Sequence, residues 1–201
     1  LEFRRVLFRS PDSAASPAQT VACRCAPVDA TTRAANAETL SSWSAHSTSA
    51  AAASATDRRT LTEALVSADV FLGLSAKGAV TQDMVRSMAP KPMIFALANP
   101  DPEITPEEAH AVRPDAIVAT GRSDYPNQIN NVLVFPGVFR GLLDSGSHVL
   151  TPDVLLAAAD ALAGVVKEDE RNATYIIPSV FHPEVHSSVA AAVRAAAGAG
   201  R

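Results

Sequence analysis

Asn127, Gln128, Asn130 and Asn131 put four side-chain amides into five positions, directly ahead of the apolar run VLVFPG, and a further asparagine, Asn99, precedes a proline in FALANPDPEI. A carboxamide carries both donors and acceptors, so such a set suits a ligand of the hydroxy-acid or carboxamide kind. The residue before a proline is held extended, which restricts how Asn99 leaves its strand. Each amide also has a structural alternative that the sequence leaves open. Asn99 can close a strand with an Asx-turn, and Asn130 or Asn131 can cap the helix that follows. Amides that enter a site must be matched by neighbours or ligand, since an unpaired buried one costs about 1–3 kcal/mol.

Other polar side chains carry less. Arg122 suits a carboxylate or phosphate, yet Asp124, two residues on, offers it a local ion pair. Lys77, set between small residues, reads as a solvated loop charge. His182 and His186 share the spacing HPEVH, but Pro183 opposes a continuous helix and Glu184 is misplaced for a zinc-binding HExxH, so no metal site is read there. Cys23 and Cys25 lie too close in an extended chain for an easy disulfide, and no second ligand pair stands near them. The patterns GxGxxG and GxSxG and the P-loop are absent from the sequence.

The elements that must position these groups begin near Leu61. Asp69 to Leu72, Met93 to Leu97 and Ala116 to Ala119 are short, apolar throughout and rich in β-branched or aromatic residues, as parallel strands buried on both faces must be. Between them, Thr81 can cap a helix with Met84, Val85 and Met88 on one side, and Thr105 opens TPEE, a capping box with Pro106 in the first turn and Glu108 reaching back. The order β-α-β-α-β, with right-handed crossovers, predicts an α/β fold: part of a doubly wound, Rossmann-like parallel sheet. Thr151 and Pro152 start a helix whose Val154, Leu155, Ala158, Leu162, Val165 and Val166 form one stripe, and Val189 and Val193 mark a last Ala-rich helix; both are expected to cover the sheet. Ligands of such sheets bind beyond the carboxyl ends of the strands. There the chain places Gly73 to Gly78, Asn99 to Pro102 and Thr120 to Asp124.

Residues 1–60 differ in character. They are an Ala/Ser/Thr mixture without helical or alternating periodicity, expected to be poorly ordered, and 61–201 is read as the folded domain. The opening LEFRRVLFRS further resembles a translated cloning adapter, so this segment is read as tail or as non-native sequence. An unbroken genomic frame through it would dismiss the second reading. A net charge of -4 gives no basic stripe, which removes nucleic acid from the candidate partners. No apolar run approaches the roughly 20 residues of a membrane span, and the start lacks a signal-like apolar stretch, so a cytoplasmic protein is expected.

Taken in order, ADVFLGLSAKG, PMIFALANPDPEITPEEA, IVATGRSDYPNQINNVLVFPGVFRG and YIIPSVFHPEVHSSVAAAV resemble the carboxy-terminal part of the NAD(P)-binding domain of bacterial malic enzymes, over about residues 61–201. The resemblance implies oxidative decarboxylation of malate to pyruvate and CO2 with reduction of NAD or NADP, assisted by Mg2+ or Mn2+. By position it implies that Asn99 faces malate and the nicotinamide and that Asn131 contacts malate; Ser75 and Gly121 are candidate cofactor contacts, and Gly121, Arg122 and Ser123 fall on a loop near the cleft. It places the acid, the base, the metal ligands and the pyrophosphate loop upstream, so no catalytic or metal residue is assigned here. It also implies a homo-oligomer. A non-catalytic nucleotide-binding or subunit-interaction module is the competing reading, and the reading frame upstream of Leu61 discriminates the two. The chain as given is expected to form no NAD(P)H from malate with manganese or magnesium, followed by absorbance at the reduced nicotinamide band; clear turnover would overturn that expectation.

Overall fold

The computed structural model describes residues 60–198 throughout, together with the backbones of β1 (Glu2–Arg9) and β2 (Gln19–Ala26). Those backbones apart, the reading of residues 1–60 as poorly ordered or non-native falls outside the described residues. The chain divides into two compact units, residues 1–125 and 126–201.

In the first unit the apolar blocks form β3 (Val70–Leu74), β4 (Met93–Ala96) and β5 (Ile117–Thr120), within two residues of the expected bounds. They pair in parallel, with Phe71 opposite Ile94 and Ile94 opposite Val118. Beyond β3 the backbones of β2 and β1 continue the sheet antiparallel, giving the order β1-β2-β3-β4-β5. That antiparallel pair lies in sequence without apolar alternation, which is why the residues do not announce it.

A short helix, α1 (Leu61–Leu65), leads into β3, and two more, α2 (Gln82–Arg86) and α3 (Pro106–Val112), link the parallel strands. Each starts at a threonine in extended conformation, Thr60, Thr81 or Thr105, whose hydroxyl accepts from the N–H three residues on at 3.2–3.3 Å. Thr60 with Glu63 and Thr105 with Glu108 complete reciprocal capping boxes. The bonds from Thr105 hold the Glu108 carboxyl below its ordinary value.

The register puts Phe71, Ile94 and Val118 in one row on one face, and there they bury against Leu65, Val85, Met88, Ile104 and Ala109. On the other face Val70 and Ala119 are buried while Leu72, Met93, Phe95 and Ile117 are half-buried, so among the described residues that face is enclosed less fully than expected of a sheet buried on both faces. At the amino ends of β4 and β5, the Arg113 guanidinium donates to Met88 O at 2.8 Å and Ala89 O at 2.7 Å while pairing with Asp115. Asp115 in turn accepts from Lys91 N–H at 2.6 Å, and its carboxyl is held well below the usual range, first by Arg113 and then by that N–H.

The second unit is helical. A 3-10 turn (Asn131–Leu133) leads into α4 (Phe135–Ser145), which Gly146 ends in the left-handed region at φ 65°. Thr151 caps α5 (Pro152–Val165) as expected, and α6 (Val185–Gly198) closes the unit. Val154, Ala158 and Val165 are buried and Leu162 half-buried, but Leu155 is 54% exposed and leaves the expected stripe. Positions 154, 158, 162 and 165 follow one another at i+4 and i+3 steps along one face, and 155 is rotated about 100° away from 154. Helix α4 approaches α6 closely through two glycines. A Cβ at Gly137 would stand 2.7 Å from Val189 Cβ, and one at Gly141 would stand 2.6 Å from Ala190 O. Gly141→Ala is therefore expected to push the helices apart and destabilise the unit by about 1–3 kcal/mol, read as a lowered denaturation midpoint. An unchanged midpoint would mean the crossing yields without strain.

Candidate functional site

Parallel pairing of β3, β4 and β5 delivers their carboxyl ends to one edge of the sheet, as expected. A side chain that sequence reasoning passed over holds two of those ends. Glu103, between Pro102 and Ile104, is fully buried. Its Oε1 accepts from Ser75 N–H at 2.6 Å and from the Ser75 hydroxyl at 3.0 Å; its Oε2 accepts from Ala98 N–H at 3.1 Å. Its backbone carbonyl accepts from Val80 N–H at 3.2 Å. A carboxylate leaves water only where donors replace those it loses, and here three do. Gly73 is required by the same arrangement, since a Cβ there would lie 2.5 Å from Glu103 Cδ. The available signal was a lone acid flanked by a proline and an isoleucine just ahead of a helix cap.

Asn99 follows Ala98 directly. It is exposed, joined to Pro100 by a cis peptide bond, and its side chain has no hydrogen-bond partner among the described residues. The Asx-turn alternative is thus not adopted, and the amide faces outward with both its donor and acceptor sides open. Ser75 is half-buried with its hydroxyl proton directed to Glu103, which leaves that oxygen as an acceptor only. Gly121 is exposed, with open space where a Cβ would stand.

On the outside of the same edge, Asp101 links the loops. It pairs with Lys77 at 3.2 Å and with Arg122 at 3.5 Å. Arg122 also grips Asp124 in a fork, Nε to Oδ1 at 2.8 Å and Nη2 to Oδ2 at 2.5 Å, and lies 5.3 Å from the centre of the Tyr125 ring. The Asp124 hydrogen bonds and charge hold the guanidinium above its ordinary value, and Arg122 in turn lowers the Asp124 carboxyl. Tyr125 donates to Glu107 Oε2 at 3.1 Å, and burial and then that carboxylate raise its phenol. The local ion pair at Arg122 is therefore formed, and Lys77 is less solitary than its sequence surroundings suggest. These partners are substantially exposed, so the network orders the loops more than it stabilises them.

In the second unit the amide set divides by task. Asn127 is buried at φ 54°, a conformation asparagine tolerates; its Nδ2 donates to Ala173 O at 2.8 Å and its Oδ1 accepts from Ile176 N–H at 2.9 Å. It pins the 173–176 loop, a role that only a contact 46 residues distant reveals. Asn130 is the cap, its Oδ1 accepting from Val132 N–H at 3.0 Å. Asn131 is exposed, without a side-chain partner among the described residues. His182 Nδ1 accepts from Glu184 N–H at 3.3 Å, and His186 Nε2 lies 3.1 Å from Val132 O, so each ring nitrogen in contact meets backbone.

Comparison with known proteins sets this geometry in a family. The family model for the malic enzyme NAD-binding domain matches residues 32–198. The chain is 56% identical to the NADP-dependent malic enzyme of Rhizobium meliloti (strain 1021), over 71% of its own length and 20% of that protein's. It is 54% identical to the NAD-dependent malic enzyme of Geobacillus stearothermophilus, over 68% of its length and 28% of that protein's. Among solved structures, the malic enzyme of Pyrococcus horikoshii aligns at a TM-score of 0.65 with 44% identity, covering 70% of this chain and 32% of that one. That of Entamoeba histolytica aligns at 0.68 with 38% identity, covering 73% and 30%. The chain thus spans between a fifth and a third of the length of these proteins. With this breadth of match, and with three parallel strands presenting their polar ends together, the chain belongs to the malic enzyme family, within its NAD-binding domain.

Proposed function

We propose that this chain is the carboxy-terminal part of the NAD(P)-binding domain of a malic enzyme and serves the oxidative decarboxylation of malate to pyruvate and CO2, with NAD or NADP as hydride acceptor. The observation that carries this reading is Asn99, an exposed amide without a described partner at the carboxyl end of a strand flanked by parallel neighbours, where sheets of this kind take their ligands.

Within the reaction the chain's own residues bind and orient. Asn99 has a donor side for the hydroxyl oxygen of malate or the carbonyl of a carboxamide, and an acceptor side for the hydroxyl proton or an amide N–H. Asn131, relieved of capping by Asn130, is free to donate to a malate carboxylate. The open space at Gly121 leaves room for a cofactor to approach backbone, and Ser75 would meet it only as an acceptor. A bound nicotinamide supplies the hydride acceptor. The divalent ion of the reaction is not matched here: the described residues include no group of three or more His, Cys, Asp or Glu that could hold it, so no step is derived through it. The intact enzyme is read as a cytoplasmic homo-oligomer. Support for further contacts is the exposure of Phe135, Phe139 and Leu143 along α4; as to membranes, no helix among the described residues is long and apolar enough to cross one.

The test is kinetic, in the full-length enzyme carrying this chain. Asn131→Ala should raise the malate KM and lower kcat while leaving the denaturation midpoint in place. Asn130→Ala should instead cost about 0.5–2 kcal/mol of stability through loss of the cap. Unchanged kinetics in the Asn131 variant would remove it from the substrate site.

A further inference from the structure

Glu103 is the buried acid that the proposed chemistry leaves unused. Among the described residues it pairs with no cation, and all its side-chain partners are donors at the ends of β3 and β4: the N–H and hydroxyl of Ser75 and the N–H of Ala98. If the space behind these loops needed only filling, an apolar side chain of similar volume would do so without the desolvation penalty of a carboxylate. What the carboxylate adds is direction. Its two oxygens fix two N–H vectors in different loops, and one of them belongs to the residue immediately before Asn99. The Oε1 bond to Ser75 N–H, at 2.6 Å, and the absence of a Cβ at Gly73 leave the carboxylate little room to drift.

Resting on the reading of this chain as part of a malic enzyme, we propose that Glu103 is a positioning residue for the reaction, locking the Ser75 and Ala98 backbones so that Asn99 presents its amide to substrate and nicotinamide at a fixed depth and angle. The requirement is for two acceptor oxygens. Glu103→Gln keeps the shape but turns one oxygen into an NH2 group, which faces either Ala98 N–H or Ser75 N–H donor to donor, whichever way the amide is flipped.

The experiment has two arms. In the full-length enzyme carrying this chain, amide hydrogen exchange at Ser75 and Ala98 should accelerate by about tenfold or more in E103Q while that of Ile94 within β4 holds. In the full-length enzyme carrying this chain, E103Q should lower kcat/KM by roughly tenfold or more and raise the malate KM, which a mere loss of folded protein would not do. E103D, which keeps two acceptors, should recover part of the loss. In an Asn99→Ala background, E103Q should cost less than about twofold further, the non-additivity of residues acting through one another. Should E103Q fail to fold, the same non-additivity with Asn99→Ala is read in E103D, whose shorter side chain keeps two acceptors but seats them less well. Full additivity with Asn99→Ala, or unchanged exchange at Ala98, overturns the proposal. Turnover by the unsubstituted enzyme with no effect of E103Q overturns it alone, whereas an unsubstituted enzyme without malate turnover overturns the functional reading and this proposal together.

Discussion

A carboxylate taken wholly out of water must find donors, and the first unit is arranged around the three that Glu103 finds. They come from two loops that are distant in sequence and adjacent only because β3 and β4 run parallel in register. The demand propagates outward. Gly73 must lack a side chain, the Ser75 hydroxyl is oriented, and the chain from Pro102 into α3 must pass beneath the strand ends. Donors left unmatched, or the acid left without them, would each cost more than the bonds contribute when formed, so the arrangement is closer to all-or-none than to a sum of contacts.

The two ends of the parallel strands are pinned by opposite chemistry. At the amino ends a guanidinium, Arg113, donates to backbone carbonyls and is balanced by Asp115. At the carboxyl ends a carboxylate accepts from backbone N–H groups. Outside the carboxyl end, Lys77, Asp101, Arg122 and Asp124 repeat the linkage at the surface, where water screens it. The buried acid therefore sets position, and the exposed pairs restrict how far the loops wander. Between them Asn99 emerges with no side-chain partner among the described residues, the condition a ligand-facing amide requires.

In the second unit a similar economy governs the asparagines. One in the left-handed region ties down a distant loop and one caps a turn, and with those two needs met Asn131 has no side-chain partner among the described residues. The helix crossing behind them rests on Gly137 and Gly141, where valine and backbone occupy the space a methyl group would take. Polar residues so close in sequence thus serve different ends, one burying its amide in a long-range contact and its neighbours meeting solvent.

The sequence by itself determined the elements whose cause is local. Parallel strands appeared as short apolar runs, and Thr81, Thr105 and Thr151 marked helix starts, because a cap is decided by residues three positions apart. The ordering of strands and helices, and with it the edge where polar loops collect, was legible for the same reason, as was the resemblance to malic enzymes carried by long contiguous strings. The antiparallel pair β1 and β2 was not, since no periodicity marks it, and the exposure of Leu155 required knowing which side of α5 meets its neighbours. Only the tertiary structure decided which asparagine caps, which clamps and which stays open, and only it revealed Glu103. The cap at Asn130 is itself local, but the clamp at Asn127 and the seat of Glu103 depend on partners 46 and 28 residues away, brought close by strand register and loop packing that no short window of sequence contains.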